Sequence, residues 1–113
     1  MDTRELAKVL KLTAQLMELH DENIFKIKSL SNAAFKLSKS GIDLDGLSAE
    51  DLEKIDGIGK GIVSKIQEIQ TTGELKELNH LLSITPQGVV EMMSIKGIGP
   101  KKALSMVVKY KKD

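Results

Sequence analysis

One short segment occurs twice in this chain, and that repetition restricts the fold more than any other feature. Ile55-Asp56-Gly57-Ile58-Gly59-Lys60-Gly61-Ile62-Val63 returns forty residues later as Ile95-Lys96-Gly97-Ile98-Gly99-Pro100-Lys101-Lys102-Ala103. The shared skeleton is an aliphatic residue, any residue, Gly-Ile-Gly, three variable positions and a small apolar residue. Two glycines around one isoleucine predict a tight turn that uses the freedom of glycine at positive φ, with the isoleucine seated in the core. The second glycine leaves the backbone bare where the next helix begins. Unpaired N–H groups and the helix dipole then face outward together, which suits a phosphate oxygen.

Three other readings compete for the segment. A dinucleotide fingerprint needs Gly-x-Gly-x-x-Gly/Ala after a strand, but Ile62 and Lys102 stand at the last position and no strand-like run precedes either copy. A P-loop would need Gly-x-x-x-x-Gly-Lys-Ser/Thr, which is absent. A plain helix–turn–helix corner without a ligand explains one copy but not two copies with lysines in both following helices. The reading that fits both is a pair of helix-hairpin-helix motifs, which hold nucleic-acid backbone without reading sequence.

The remainder of the chain reads as helices. Leu6, Val9, Leu10, Leu12, Leu16, Met17 and Leu19 follow helical spacing behind a cap at Asp2 or Thr3. After the polar break Asp21-Glu22-Asn23, a second helix carries Ile24, Ile27, Leu30, Ala33, Ala34 and Leu37 toward a stop at Gly41. Lys26, Lys28, Lys36 and Lys39 lie on its other side. Ser48 with Asp51 forms a near capping box ahead of the first hairpin. Ile62, Val63, Ile66 and Ile69 predict a helix over 60–71 that ends at Thr72-Gly73, and Leu75, Leu78, Leu81 and Leu82 predict another. Thr85 and Pro86 signal a further start, and a last helix is expected from about Pro100. No stretch alternates with period two. The fold class is all-α, a compact multi-helix domain with two helix-hairpin-helix motifs, divided into residues 1–83 and 84–113.

Composition narrows the chemistry. The 113 residues suffice for one domain. With Phe25, Phe35 and Tyr110 as the only aromatics, single-strand binding by stacked bases is disfavoured. The absence of cysteine excludes disulfides, thiol catalysis and zinc fingers, and favours a cytoplasmic setting. No apolar run approaches a membrane span. The net charge of +1 hides an asymmetry: Lys96 to Lys112 holds six lysines and no acid, whereas Asp43 to Asp56 holds six acids against Lys54 alone. His20 and His80 lack a carboxylate at recognisable spacing and read as structural. Glu50, Asp51, Glu53 and Asp56 fall on different faces of a short helix and read as solvated charge.

Residues 3–83 resemble the N-terminal, lyase-like domain of the DNA polymerase X family, bacterial branch. The resemblance rests on Phe25-Lys26-Ile27, Asn32-Ala33-Ala34, the first hairpin, Lys65-Ile66 and Thr72-Gly73 with Leu75 and Leu78. Residues 84–113 resemble the second hairpin that opens the next polymerase subdomain. The resemblance implies backbone donors around Gly57, Gly59 and Gly61, and around Gly97, Gly99 and Lys101. Charge from Lys60, Lys101, Lys102 and Lys26 would support them. No cofactor is required, but a sodium or potassium ion would lie on the carbonyls of Glu53, Ile55 and Ile58, and of Met93, Ile95 and Ile98. The implied partner is gapped or nicked duplex DNA on the bacterial nucleoid, in repair synthesis and base excision repair, with further polymerase domains if the chain is a fragment.

An enzymatic alternative centres on Lys65, the position matching the family's imine-forming nucleophile for a 5′-deoxyribose phosphate. Lys65 falls about 40° past the Ile62/Ile66/Ile69 stripe, where an amine loses hydration. In the second copy Ser105 takes its place. Against this, Gly61, Leu30 and Glu77 replace the lysines and tyrosine that the family uses around the phosphate, and Glu74 adds negative charge. A protein-interaction scaffold is the third reading, suggested by the apolar circumference of the last helix.

Overall fold

The computed structural model describes residues 2–93 and Gly99. The rest of the second Gly-Ile-Gly segment and the helix expected after it lie outside the described residues. So do Gly97, Lys101, Lys102, Ile95, Ile98 and Ser105.

Among the described residues there are six helices and no strand: α1 Thr3–Leu19, α2 Ile24–Ser40, α3 Ala49–Glu53, α4 Lys60–Thr72, α5 Lys76–Ser83 and α6 Gln87–Met93. The all-α expectation holds. α1 and α2 form an antiparallel hairpin, closed at its open end by the Thr3 hydroxyl donating to the Ile42 carbonyl at 2.8 Å. At the other end the chain turns through Asp21 at φ +53, a conformation that the short polar side chain of aspartate tolerates. α5 packs on α1, and α4 packs on α2 and α3.

The helical stripes read from the sequence form one core. α1 contributes Leu6, Leu10, Leu16 and Met17, α2 contributes Leu30, Ala33, Ala34 and Leu37, and α4 contributes Ile62, Val63, Ile66 and Ile69. Leu52, Ile58, Leu81 and Val89 join them from the shorter segments. Burying a side chain of this size stabilises the fold by roughly 1.5–3 kcal/mol, so the stripe on α4 fixes where the first hairpin must sit. Ile24 departs from its expected place in a stripe. It is the first residue of α2 and is 57% exposed.

Side chains and glycines end the helices largely where the sequence placed them. Asp2 accepts from the Arg4 N–H, and Asn23 accepts from the Phe25 N–H. Ser48 and Asp51 complete a reciprocal capping box. Gly41 and Gly73 close α2 and α4 at φ +66 and +79, where glycine alone avoids a Cβ penalty.

Thr85 does not cap the next helix. Its hydroxyl donates back to the Leu81 carbonyl at 2.6 Å, and Pro86 supplies the carbonyl that receives Val89 and Val90. With its one proton committed, Thr85 Oγ1 can only accept from His20 Nε2, 2.8 Å away. His20 is therefore a structural tie between the end of α1 and the start of α6, in keeping with its expected role. His80 is exposed.

Candidate functional site

The first Gly-Ile-Gly segment folds as a short sequence of turns. The Ile55 N–H bonds the Leu52 carbonyl at 3.1 Å, and the Ile58 N–H bonds the Ile55 carbonyl at 3.1 Å. The turn residue between them, Gly57, has φ +86. A Cβ there would stand 3.0 Å from Lys36 Cγ and 3.3 Å from Asn32 Nδ2, so both the conformation and the tight fit against α2 call for glycine. Ile58 is buried and anchors the turn, as its apolar character predicts.

Gly59 does not use the positive φ expected of it. Its backbone is extended, at φ −92 and ψ 177, which any residue adopts, and a Cβ would meet nothing within 4 Å. The same open space surrounds Gly61. Neither glycine is required by this chain's own turn or packing. What both do is keep the surface at the start of α4 free of side chains.

That start is left open. Gly59 is the N-cap of α4 and offers no side-chain cap; its carbonyl accepts from Ile62 and Val63 at 3.1 and 3.0 Å. Among the described residues no acceptor is bonded to the N–H groups of Gly59, Lys60 or Gly61. At other helix starts a side chain takes one N–H: Asp2, Asn23 and Ser48 cap α1, α2 and α3, and the Glu68 carboxylate receives the Lys76 N–H of α5 at 2.6 Å. Three outward N–H groups at a helix N-terminus form a receptor for an anion. The Gly57 N–H belongs only partly to this set, because it also helps hold the neighbouring Asp56 carboxylate.

A groove of about 390 Å³ runs from this corner between α2 and α4 to α5. Lys26, Gly57, Gly59, Gly61 and Lys65 all line it, so five of the residues singled out in the sequence converge on one surface. Lys60 is exposed and stands outside the lining, at the first position of α4. Gly99, the described residue of the second copy, likewise has open space where a Cβ would stand.

Leu30 and Glu77, named in the sequence as departures around the phosphate, also line the groove, together with Phe25, Ser29 and Asn32, to which sequence reasoning gave no role there. Phe25 is 77% exposed at its edge. Its signal was present in the sequence, since it follows the Asn23 cap and falls off the Leu30/Ala34/Leu37 stripe. Asn32 and Ser29 add polar groups from α2. Glu77 reaches in from α5, and Lys65 Nζ donates to its Oε2 at 2.6 Å. An ammonium held in this way presents no lone pair to a carbonyl carbon.

Of the carbonyls expected to hold a monovalent cation, those of Glu53, Ile55 and Ile58 lie at the first turn. The Ile55 oxygen receives the Ile58 N–H, whereas those of Glu53 and Ile58 receive no N–H among the described residues. No cluster of carboxylates and histidines suited to a divalent metal occurs among the described residues. Asp51 serves its cap and Asp56 pairs with Lys36, in line with the reading of the acidic segment as ordinary surface charge.

A family model described as a helix-hairpin-helix domain matches residues 1–75. The chain belongs to the helix-hairpin-helix domain family. It is also similar to the DNA polymerase/3′-5′ exonuclease PolX of Bacillus subtilis (strain 168), with 31% identity over 102 residues, covering 90% of this chain and 18% of that protein. The chain thus spans less than a fifth of the length of that relative. The motif-based resemblance to the polymerase X family is borne out. In this helix-hairpin-helix domain the matched region contains the whole of the first hairpin, α4 and the Lys65 side of the groove. Glu77 lies two residues beyond its end.

Proposed function

We propose that this domain is a sequence-independent DNA-binding module that grips the phosphate backbone of gapped or nicked duplex and serves repair synthesis. The observation that carries this reading is the open start of α4, where the N–H groups of Gly59, Lys60 and Gly61 stand beside a groove that Lys26 enters. Backbone donors contact phosphates whatever the base, so binding made this way is indifferent to sequence. The polymerase named in the similar Bacillus protein is consistent with a DNA partner. Gly97, Gly99, Lys101 and Lys102 would supply a second grip of the same kind.

A sodium or potassium ion on the carbonyls of Glu53, Ile55 and Ile58 would place positive charge between the turn and an approaching phosphate. Lys65 favours binding over the lyase alternative, because its amine is committed to Glu77.

Fluorescence anisotropy with gapped duplexes of unrelated sequence, measured across a salt series, tests the proposal. Affinity should be nearly equal between sequences and fall with salt by about one log–log unit per phosphate neutralised. Salt-independent binding, or strong preference for one sequence, would contradict it. No binding at low salt would favour the interaction-scaffold reading.

A further inference from the structure

We propose that the face of the α1–α2 hairpin turned away from the first Gly-Ile-Gly corner docks an acidic amphipathic helix of a partner protein.

A second groove, of about 540 Å³, runs between α1 and α2 on this face. The buried Ala7 and Ala34 make its floor, and Phe35 lines it with 60% of its surface exposed. Arg4, Lys8 and Lys11 supply its charge, and no acidic residue lines it. Their spacing of four and three residues puts the three cations on one face of α1, over about 10 Å of helix. Among the described residues none of the three forms an ion pair. Asp2, Asp43 and Asp45 line an adjoining cavity that shares Arg4, so the uncompensated charge is centred on Lys8 and Lys11. Lys39 adds a cation beside the groove, with Nζ 5.4 Å from the Phe35 ring centroid. In a chain of net charge +1, α1 and α2 carry three and four cations against Glu5 and Glu18 alone.

The occupant that complements this lining brings carboxylates and apolar side chains together. Alanine methyls and a phenyl ring offer a phosphate backbone no donors, and stacked bases need a series of rings. A helix meets both demands. The cleft between two packed helices receives the side-chain ridge of a third, and acids three and four residues apart repeat the interval of Arg4, Lys8 and Lys11. The C-terminal stretch of this chain does not suit, because Lys96 to Lys112 holds six lysines and no acid. The acidic stretch of a second copy, Asp43 to Asp56, has Leu44 and Leu52 already committed to its own core. On α2, Ser29 and Asn32 of the first groove and Ala34 and Ser38 of the second fall on opposite sides at about 100° per residue. A partner held here leaves the open start of α4 uncovered.

The test titrates the labelled chain with a synthetic amphipathic peptide that has leucines along one face and glutamates on both flanks. The same peptide with lysine for each glutamate, and an oligothymidylate, are titrated in parallel. The glutamate peptide should shift the amides of Ala7, Lys8, Lys11, Ala34 and Phe35, and the lysine peptide should not. Joint Lys8→Glu and Lys11→Glu substitution should lower the peptide's affinity about tenfold or more. Joint Lys28→Glu and Lys54→Glu substitution makes the same change in net charge outside the groove and should cost far less. Phe35→Ala should weaken the peptide severalfold and leave binding of a gapped duplex unchanged. No shift on this face, or equal binding of the two peptides, would overturn the inference. So would equal losses in the two doubly substituted chains. Stronger shifts of the same amides by the oligothymidylate would assign the groove to nucleic acid instead. A concentration-dependent dimer that moves these amides without any peptide would assign it to a second copy.

Discussion

Lys36 Nζ lies 2.9 Å from Asp56 Oδ2, and the pair joins the middle of α2 to the turn that carries the first Gly-Ile-Gly. The hydrogen bond from Lys36, followed by its charge and a smaller share from the Gly57 N–H, holds the Asp56 carboxyl below the usual carboxylate range. A carboxyl depressed on folding contributes stability above its unfolded pKa, near 4, and loses it as pH falls through the lower folded value. Asp56 is 87% exposed on its side chain, so this contribution is small and salt-screened. Following the Asp56 carboxyl carbon by NMR should give a lower midpoint in the unaltered chain than in Lys36→Met. Equal midpoints would show that the pair does not persist in solution.

Gly57 should tolerate substitution least. Its φ of +86 and the 3.0 Å approach of Lys36 Cγ make Gly57→Val strained in any arrangement of the turn. Thermal unfolding should reveal a loss of about 1–3 kcal/mol, and DNA affinity should fall with it, because the corner that aims the amides is distorted. Unchanged stability and binding would place the corner elsewhere.

Gly59→Ala and Gly61→Ala should separate stability from binding. Neither position has positive φ or a neighbour within 4 Å of a new Cβ. Alanine within a helix is favoured over glycine by about 1 kcal/mol, so Gly61→Ala should melt at the same temperature or slightly higher. The added methyl groups stand where a phosphate must approach the bare amides, and DNA affinity should drop severalfold in both variants. Undiminished affinity would mean that the phosphate does not approach α4 at its start.

The groove was legible in the sequence as a set of residues but not as an arrangement. Gly57, Gly59, Gly61, Lys26 and Lys65 could be named because a repeat and a family resemblance marked them. The buried stripes of α1, α2 and α4 follow from helical periodicity alone, and Gly41, Gly73 and Ser48 mark their ends by local chemistry. What the sequence withheld are the pairings between helices. Lys65 with Glu77, Lys36 with Asp56 and His20 with Thr85 lie 12, 20 and 65 residues apart. Each depends on the register that packing imposes, which no periodicity encodes. Gly59 was half legible: the positive φ expected of it is absent, whereas the bare backbone read at the start of α4 is where the sequence put it. Thr85 before a proline has the form of a cap, yet its hydroxyl found the Leu81 carbonyl, one helical turn back, the better acceptor.

The Lys65–Glu77 bond also bears on catalysis. A gapped substrate bearing an abasic 5′-sugar phosphate, treated with borohydride, should give no covalent adduct with this chain, since the amine is held as a donor to a carboxylate. An adduct that disappears in Lys65→Ala would establish the lyase reaction and show that the pair opens on binding.

The central claim is that unpaired amides at the start of α4 receive a DNA phosphate. Amide NMR of the labelled chain during titration with a gapped duplex tests it most directly. The account predicts that Gly59, Lys60 and Gly61 show the largest shift changes among residues 2–93, that these reverse with added salt, and that they are alike for duplexes of different sequence. Saturable binding that leaves those three amides unmoved while shifts concentrate on another face would contradict it.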